Sequence, residues 1–267
     1  LISVVAVSLK KKRFLEETIR SVLLQNYPKL EYIVADGGSD DETMVVLEKY
    51  RPWLSFVRSA PDRGQGHAIN IGFSLSSGEL RGWLNSDDIY LPGALAAVGK
   101  RASRSRADFF YGDGVTLDDE RRRRTYEPAQ WVLSRYLRFG GLVFSHAAFW
   151  RARIHKPIWE ELHCNVDGEL WQRLLPGRKF TYIPRALGAI RRQPDAKTVN
   201  PRFKEAWAED DRLIWSFHGK PPAARTYLRC EYRIVQRFLR LLRCRIKKKR
   251  LAPLRLCAWP ELPEFYP

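Results

Sequence analysis

Three acidic residues stand where carboxylates could hold a cation. Asp36 ends the apolar run Leu30–Ala35, and Asp87 and Asp88 follow the run Leu80–Leu84 through Asn85 and Ser86. Short apolar runs bounded by turn residues read as buried strands. Open parallel sheets bind ligands just beyond the carboxyl ends of their strands. The three carboxylates are therefore expected to meet at one sheet edge. Like charges held close need a cation or hydrogen-bond donors between them. Oxygen-only ligands suit Mg²⁺ or Mn²⁺, which also bind phosphate oxygens. A nucleoside diphosphate leaving group needs such a site, because charge builds on it as it departs. Taken singly, each residue has a plainer reading. Asn, Ser and Asp favour turns, and Gly37–Gly38 says only that the chain turns there.

The elements that would carry these residues alternate. Ile2–Val7 reads as a strand, and Phe14, Leu15, Ile19, Val22 and Leu23 fall at helical spacing before Pro28. After Asp36, Ser39-Asp40-Asp41-Glu42 has capping-box spacing and opens a helix towards Tyr50. Leu54–Arg58 is a third strand. The Gly-rich loop Asp62–Gly66 leads into a helix over about His67–Ser76, and Leu80–Leu84 is the fourth strand. This alternation predicts an α/β fold with a mostly parallel central sheet and flanking helices. Beyond residue 110 the pattern loosens. Tyr111–Asp119 and Phe144–Trp150 read as strands, Asp167–Leu175 as a short helix, and Lys179–Pro184 as another strand. The expected organisation is a nucleotide-binding half (1–110), an acceptor-binding half (111–218) that covers its site, and a basic helical tail (219–267).

With 267 residues, 45% of them hydrophobic and 12% aromatic, the chain can bury a sizeable core. No run of eighteen apolar residues occurs, so no helix is expected to span a bilayer. No secretory signal is visible at the start. Cys164, Cys230, Cys244 and Cys257 show neither CxxC pairing nor metal-ligand spacing, and read as thiols in a reducing cytoplasm. The net charge of +17 admits nucleic acid, an anionic membrane or a phosphorylated ligand as partner. A nucleic-acid binder would leave the acidic residues at the strand ends unexplained, and no DNA or RNA motif is present. A dinucleotide oxidoreductase would need GxGxxG after the first strand, where Ser8-Leu9-Lys10-Lys11-Lys12 stands instead.

Four longer stretches go beyond single residues: FLEETIRSVLLQNYP (Phe14–Pro28), LEYIVADGGSDDET (Leu30–Thr43), APDRGQGHAINIGF (Ala60–Phe73) and GWLNSDDIYLPGAL (Gly82–Leu95). In order and spacing they resemble family-2 glycosyltransferases. FSHAAFWR (Phe144–Arg151) and NVDGELWQRL (Asn165–Leu174) extend the resemblance to roughly residues 2–190. It implies a GT-A fold and an inverting, nucleotide-sugar-dependent transfer, with UDP as the expected nucleotide. Carried over by position, it implies that Asp36 binds the nucleobase and that Asp88 meets the metal, Mn²⁺ or Mg²⁺. Asp87 would support Asp88 through the ribose or the metal's surroundings, and Arg63 would lie near the nucleotide. Asp167 in DGELW would be the catalytic base, its plainer reading being a residue that caps its own helix. Ser8 is assigned to the nucleotide, although the Thr/Pro-Ser-Tyr-Asn-like segment usual after the first strand is absent. That absence also admits a member that binds nucleotide without catalysis. His67 stands where Asp is frequent and reads as a helix cap, and His146 reads as structural. The acceptor implied is a glycan or a lipid-linked, surface-polysaccharide precursor.

Leu228, Tyr232, Val235, Leu239, Leu242 and Ile246 repeat at helical spacing among many arginines and the run Lys247–Arg250. A basic amphipathic helix either docks on the core or lies on an anionic membrane through residues 225–250. The corresponding location is cytoplasmic, peripheral at the inner face of the plasma membrane.

Overall fold

The computed structural model describes residues 1–10, 12–118, 123–127, 129, 143–219, 234 and 238. Strand β1 (Ile2–Ser8) is buried throughout, as its unbroken apolar run requires of a strand covered on both faces. It pairs in parallel with β2 (Leu30–Asp36) on one side and β4 (Leu80–Asn85) on the other, and β3 (Phe56–Ser59) extends the sheet beyond β2. Helices α1 (Lys12–Leu23), α2 (Thr43–Tyr50) and α3 (Gln65–Ser74) make the crossovers. α1 ends before Pro28, because Asn26 adopts a left-handed conformation (φ 45°) that turns the chain first. The expected capping box of α2 does not form. Ser39 is taken up by Asp36, and Asp41 Oδ1 instead accepts from the Thr43 N–H at 3.1 Å. Gly72 lets α3 lie directly on β1, since a Cβ there would fall 2.2 Å from Val5 Cγ1.

The sheet then changes character. β8 (Ala148–Arg151) runs antiparallel between β4 and β6 (Phe109–Asp118). β9 (Phe180–Arg192) lies parallel to β6, carries the short β5 (Ile89–Tyr90) antiparallel, and β7 (Arg123–Glu127) pairs antiparallel with β6. The nine-stranded sheet is therefore parallel only in its first half and mixed in its second. A parallel neighbour needs a crossover of a dozen or more residues, usually a helix, and the regular strand–helix alternation does not continue past β4. Helices α4 (Ala94–Ser103), α5 (Val166–Leu174) and α6 (Lys204–His218) complete the described elements. The run Phe144–Trp150 is strand only from Ala148, with a 3₁₀ turn at Ser145–Ala147 before it.

Among the described residues, one large apolar cluster draws on both halves. Trp83 on β4 stacks on Trp171 of α5 (5.9 Å between centroids) and meets Trp150 of β8 edge-on (6.1 Å), and Val5, Phe109 and Ile214 join the same cluster. Residue 110, where the two halves were expected to meet, lies within β6. Most of the tail, including its apolar stripe and its arginines, lies outside the described residues. Ile234 and Phe238 are helical and exposed. Among the described residues no helix is long and apolar enough to cross a membrane.

Candidate active site

The loops after β1, β2, β3 and β4 converge at one edge. Gly37 N donates to Ser8 O (2.8 Å), Ala60 N to Asp36 O (3.1 Å) and Ser86 N to Val7 O (3.1 Å). Asp36 sits at the centre and is buried. Its Oδ2 accepts from Gly38 N (3.1 Å), Ser39 N (2.8 Å) and Ser59 Oγ (2.6 Å), and its Oδ1 from Ser39 Oγ (2.6 Å). The carboxylate is occupied in shaping the β2–α2 loop. The donors that an acidic residue at this edge needs are supplied to Asp36 by its own loop and by Ser59, and among the described residues no three His, Cys, Asp or Glu side chains group to hold a metal. Ser8, at the end of β1, is buried and its hydroxyl has no hydrogen-bond partner.

The Asp87–Asp88 pair divides between surface and interior. Asp88 is only 2% exposed. Its Oδ1 accepts from Arg191 N (3.2 Å), its Oδ2 from Asn85 Nδ2 (3.3 Å), and its carbonyl from Thr18 Oγ1 (2.8 Å). Burial, and then the charge of Asp87 beside it, raise the Asp88 pKa well above the usual carboxylate range. Asp87 is partly exposed, and its Oδ2 accepts from Gln193 Nε2 at 2.6 Å. The sequence reading placed Asp88 against the metal and Asp87 behind it. The structure turns Asp88 inward, because Ile89 and Tyr90 are drawn into the buried strand β5 and β9 passes alongside. Two adjoining carboxylates, one costly to ionise, form a donor set that a hard divalent cation would relieve, with phosphate and water oxygens completing its coordination.

Asp167 is the second residue of α5. Its residue surface is partly open, but protein surrounds the carboxyl, and burial pushes its pKa up to about 6 against the opposing pull of the Gly168 N–H. That N–H lies 2.9 Å from Oδ1, and the N-cap position of α5 is held by Asn165 rather than Asp167. A polar chain joins this turn to the β4 loop. Lys197 Nζ donates to the His163 carbonyl (2.5 Å) and to Gln65 Oε1 (2.9 Å), and Gln65 Nε2 donates to Asn85 Oδ1 (2.8 Å). The polar chain thus connects the segment entering α5 with Asn85, two residues before Asp87. Arg63 is exposed and paired with Glu160 (2.5 Å), tying the β3–α3 loop to the second half; its backbone N–H donates to His67 Nδ1 (3.1 Å) ahead of α3, whose N-cap, Gly64, makes no side-chain capping bond. His146 is buried against Gly114 and Gly188, stacks on Phe144 at 5.4 Å, and has its pKa lowered to about 3 by burial. Gln65, Gln193, Lys197 and Arg191 escaped the sequence reading. Gln65 lies within the APDRGQGH block, and the other three carry no local signal.

The sequence model of Glycosyl transferase family 2 matches residues 3–158. The chain belongs to this family. A protein of Rickettsia typhi described as an uncharacterized glycosyltransferase is 30% identical over 81% of this chain and 70% of its own length. The GalNAc(5)-diNAcBac-PP-undecaprenol β-1,3-glucosyltransferase of Campylobacter jejuni is 25% identical over 71% and 64%. An uncharacterized glycosyltransferase of Mycobacterium tuberculosis is 36% identical over 88 residues, and there the match spans about a third of either chain (33% and 34%). Among solved structures, S. aureus TarS 1-349 in complex with UDP-GlcNAc superposes with a TM-score of 0.65 at 18% identity, covering 80% of this chain and 65% of that one. The mannosyltransferase PcManGT of Pyrobaculum calidifontis, in complex with GDP-Man and Mn²⁺, gives 0.59 at 15% identity over 84% and 66%. These likenesses establish the GT-A-like fold.

Proposed function

We propose that this glycosyltransferase moves a sugar from a UDP-sugar to a hydroxyl of a glycan or lipid-linked acceptor, inverting the anomeric centre. The observation that carries the reading is Asp167, a carboxyl with a pKa of about 6 at the start of α5, whose entering segment Lys197 and Gln65 join to Asn85 ahead of the Asp87–Asp88 loop. An acceptor hydroxyl is a poor nucleophile until its proton is removed, and a base works best when its pKa lies near the operating pH. Asp167 takes that proton as the acceptor oxygen attacks the anomeric carbon. The new C–O bond forms on the face opposite the bond to the diphosphate, which breaks and leaves with its electron pair. Asp87 faces the diphosphate, and Asp88 braces the loop from inside. Asp36 holds the loop on which the base rests, and Ser8 offers its unpartnered hydroxyl at the same edge. Arg63 borders the nucleotide from the β3–α3 loop. Mn²⁺ or Mg²⁺, held by Asp87 with Asp88 behind it, would neutralise charge growing on the leaving diphosphate. The PP-undecaprenol acceptor named for the Campylobacter relative supports a lipid-linked acceptor here, and the basic tail supports peripheral attachment to an anionic, cytoplasm-facing membrane. A thermal-shift screen of nucleoside diphosphates tests the donor half of the reading. UDP with Mn²⁺ or Mg²⁺ should raise the melting temperature more than UDP with EDTA. The absence of stabilisation by any nucleotide would overturn it.

A further inference from the structure

We propose that Asp210, on α6, is a positioning residue for Asp167; this rests on the reading of Asp167 as the base. Asp210 is 2% exposed. Its Oδ1 accepts from His163 N at 3.0 Å, and its Oδ2 accepts from Cys164 N at 2.6 Å and Asn165 N at 2.7 Å. Three consecutive N–H groups at the entrance to α5 therefore converge on one buried carboxylate from another helix. The first N–H groups of a helix have no partner within it, and a side chain at the N-cap usually serves them. Asn165 occupies the N-cap of α5 but makes no capping bond; its Nδ2 instead donates to Asp211 Oδ1 at 3.2 Å.

The consequence concerns Asp167, two residues further on. A cap supplied by Asn165 would move with the helix it caps. Asp210 and Asp211 tie the entrance of α5 to α6, and α6 is seated through Ile214 in the cluster that holds Trp83, Trp150 and Trp171. A second tie closes the other side, where His218 Nε2 lies 3.1 Å from Glu169 Oε1. The carboxylate that must reach an acceptor hydroxyl is thereby referenced to the core rather than to its own loop. Catalysis requires that precision, since displacement of a base by about 1 Å can cost 10²-fold. The negative charge suits the place, because carboxylates are favoured at helix N-termini and charge-assisted bonds to N–H groups are among the strong ones.

Asp210→Asn keeps the shape and one acceptor oxygen, so the protein should fold. Two measurements decide. Hydrogen exchange read at the amides of residues 163–168 should quicken in Asp210→Asn, while those of β1 and β2 stay as in the parent. UDP or GDP release by hydrolysis of UDP-glucose, UDP-GlcNAc or GDP-mannose, whichever the parent turns over, then gives the rate, with water as acceptor. Asp210→Asn should lose at least about tenfold in kcat, with KM for the donor and the Mn²⁺-dependent stabilisation by UDP unchanged. In an Asp167→Asn background the same substitution should cost less than about twofold, because residues acting as a unit are non-additive. Equal loss in both backgrounds, or unchanged exchange at 163–168, overturns the proposal. An Asp167→Asn protein working at the parent rate sinks the base reading itself. It is distinguishable from the case in which Asp167→Asn is inactive and Asp210→Asn is not.

Discussion

Replacing Asp167 by asparagine should stabilise the protein at neutral pH while abolishing transfer. In the folded chain its carboxyl ionises near 6 rather than near 3.8, and burial is the cause. One pKa unit corresponds to about 1.4 kcal/mol, so the charged form is disfavoured by about 3 kcal/mol, an upper figure because solvent reaches part of the residue. The sign follows from proton binding. Below about pH 4 the carboxyl is neutral in both the folded and the unfolded chain, and its burial carries no charge penalty. Between about pH 4 and 6 the unfolded chain ionises first, and the folded state loses stability as pH rises. Above about 6 both are ionised and the full penalty stands. Asparagine has no charge to bury and keeps an oxygen for the Gly168 N–H. Urea denaturation of the parent and Asp167→Asn at pH 4, 6 and 8 should show curves that nearly coincide at pH 4 and separate by up to about 3 kcal/mol in favour of the variant at pH 8. The parent's turnover should rise through an apparent pKa of about 6 and plateau above it. A variant no more stable than the parent at pH 8 would show that burial does not burden this carboxyl. A variant that retained most of its transfer rate would show that Asp167 is not the base.

The division of labour between the paired aspartates predicts different losses. Asp87→Ala should remove the extra thermal stabilisation that Mn²⁺ adds to UDP while leaving the apo melting temperature within a few degrees, whereas Asp88→Ala, which leaves Arg191 N and Asn85 Nδ2 without their acceptor, should lower the apo melting temperature; the reverse pattern would return the metal to Asp88. Gly72→Ala should destabilise by about 1–3 kcal/mol in urea, since the added methyl meets Val5 and α3 must lift from β1; an unchanged midpoint would refute that packing. The full chain should sediment with anionic vesicles at low salt, each Lys or Arg near the leaflet contributing about 1 kcal/mol, and high salt should release it. A version ending at His218, checked for folding by circular dichroism, should stay in solution; equal sedimentation of the two would remove the tail from membrane binding.

Much of the first half was legible in the sequence because its signals are local. Unbroken apolar runs placed β1, β2 and β4, and helical spacing placed α1, so the edge at which Asp36, Asp87 and Asp88 would emerge followed from position alone. The DGELW block likewise located α5 and the residue at its start. The second half was harder to read. β8 enters antiparallel between β4 and β6, a pairing that no strand–helix alternation announces. α6 buries an aspartate and a single isoleucine rather than an apolar stripe, so its pattern carries little period. What only the tertiary structure decided was the choice of partners. Asp36 turned its oxygens to its own loop, Asp88 rather than Asp87 went inside, Lys197 reached Gln65 across 132 positions, and Asp210 closed on amides 45 to 47 positions away. The physical reason is that apolar burial depends on periodicity along the chain, whereas a buried polar group is satisfied by whatever donor the packing of distant elements brings within about 3 Å, and no local pattern records which one that is.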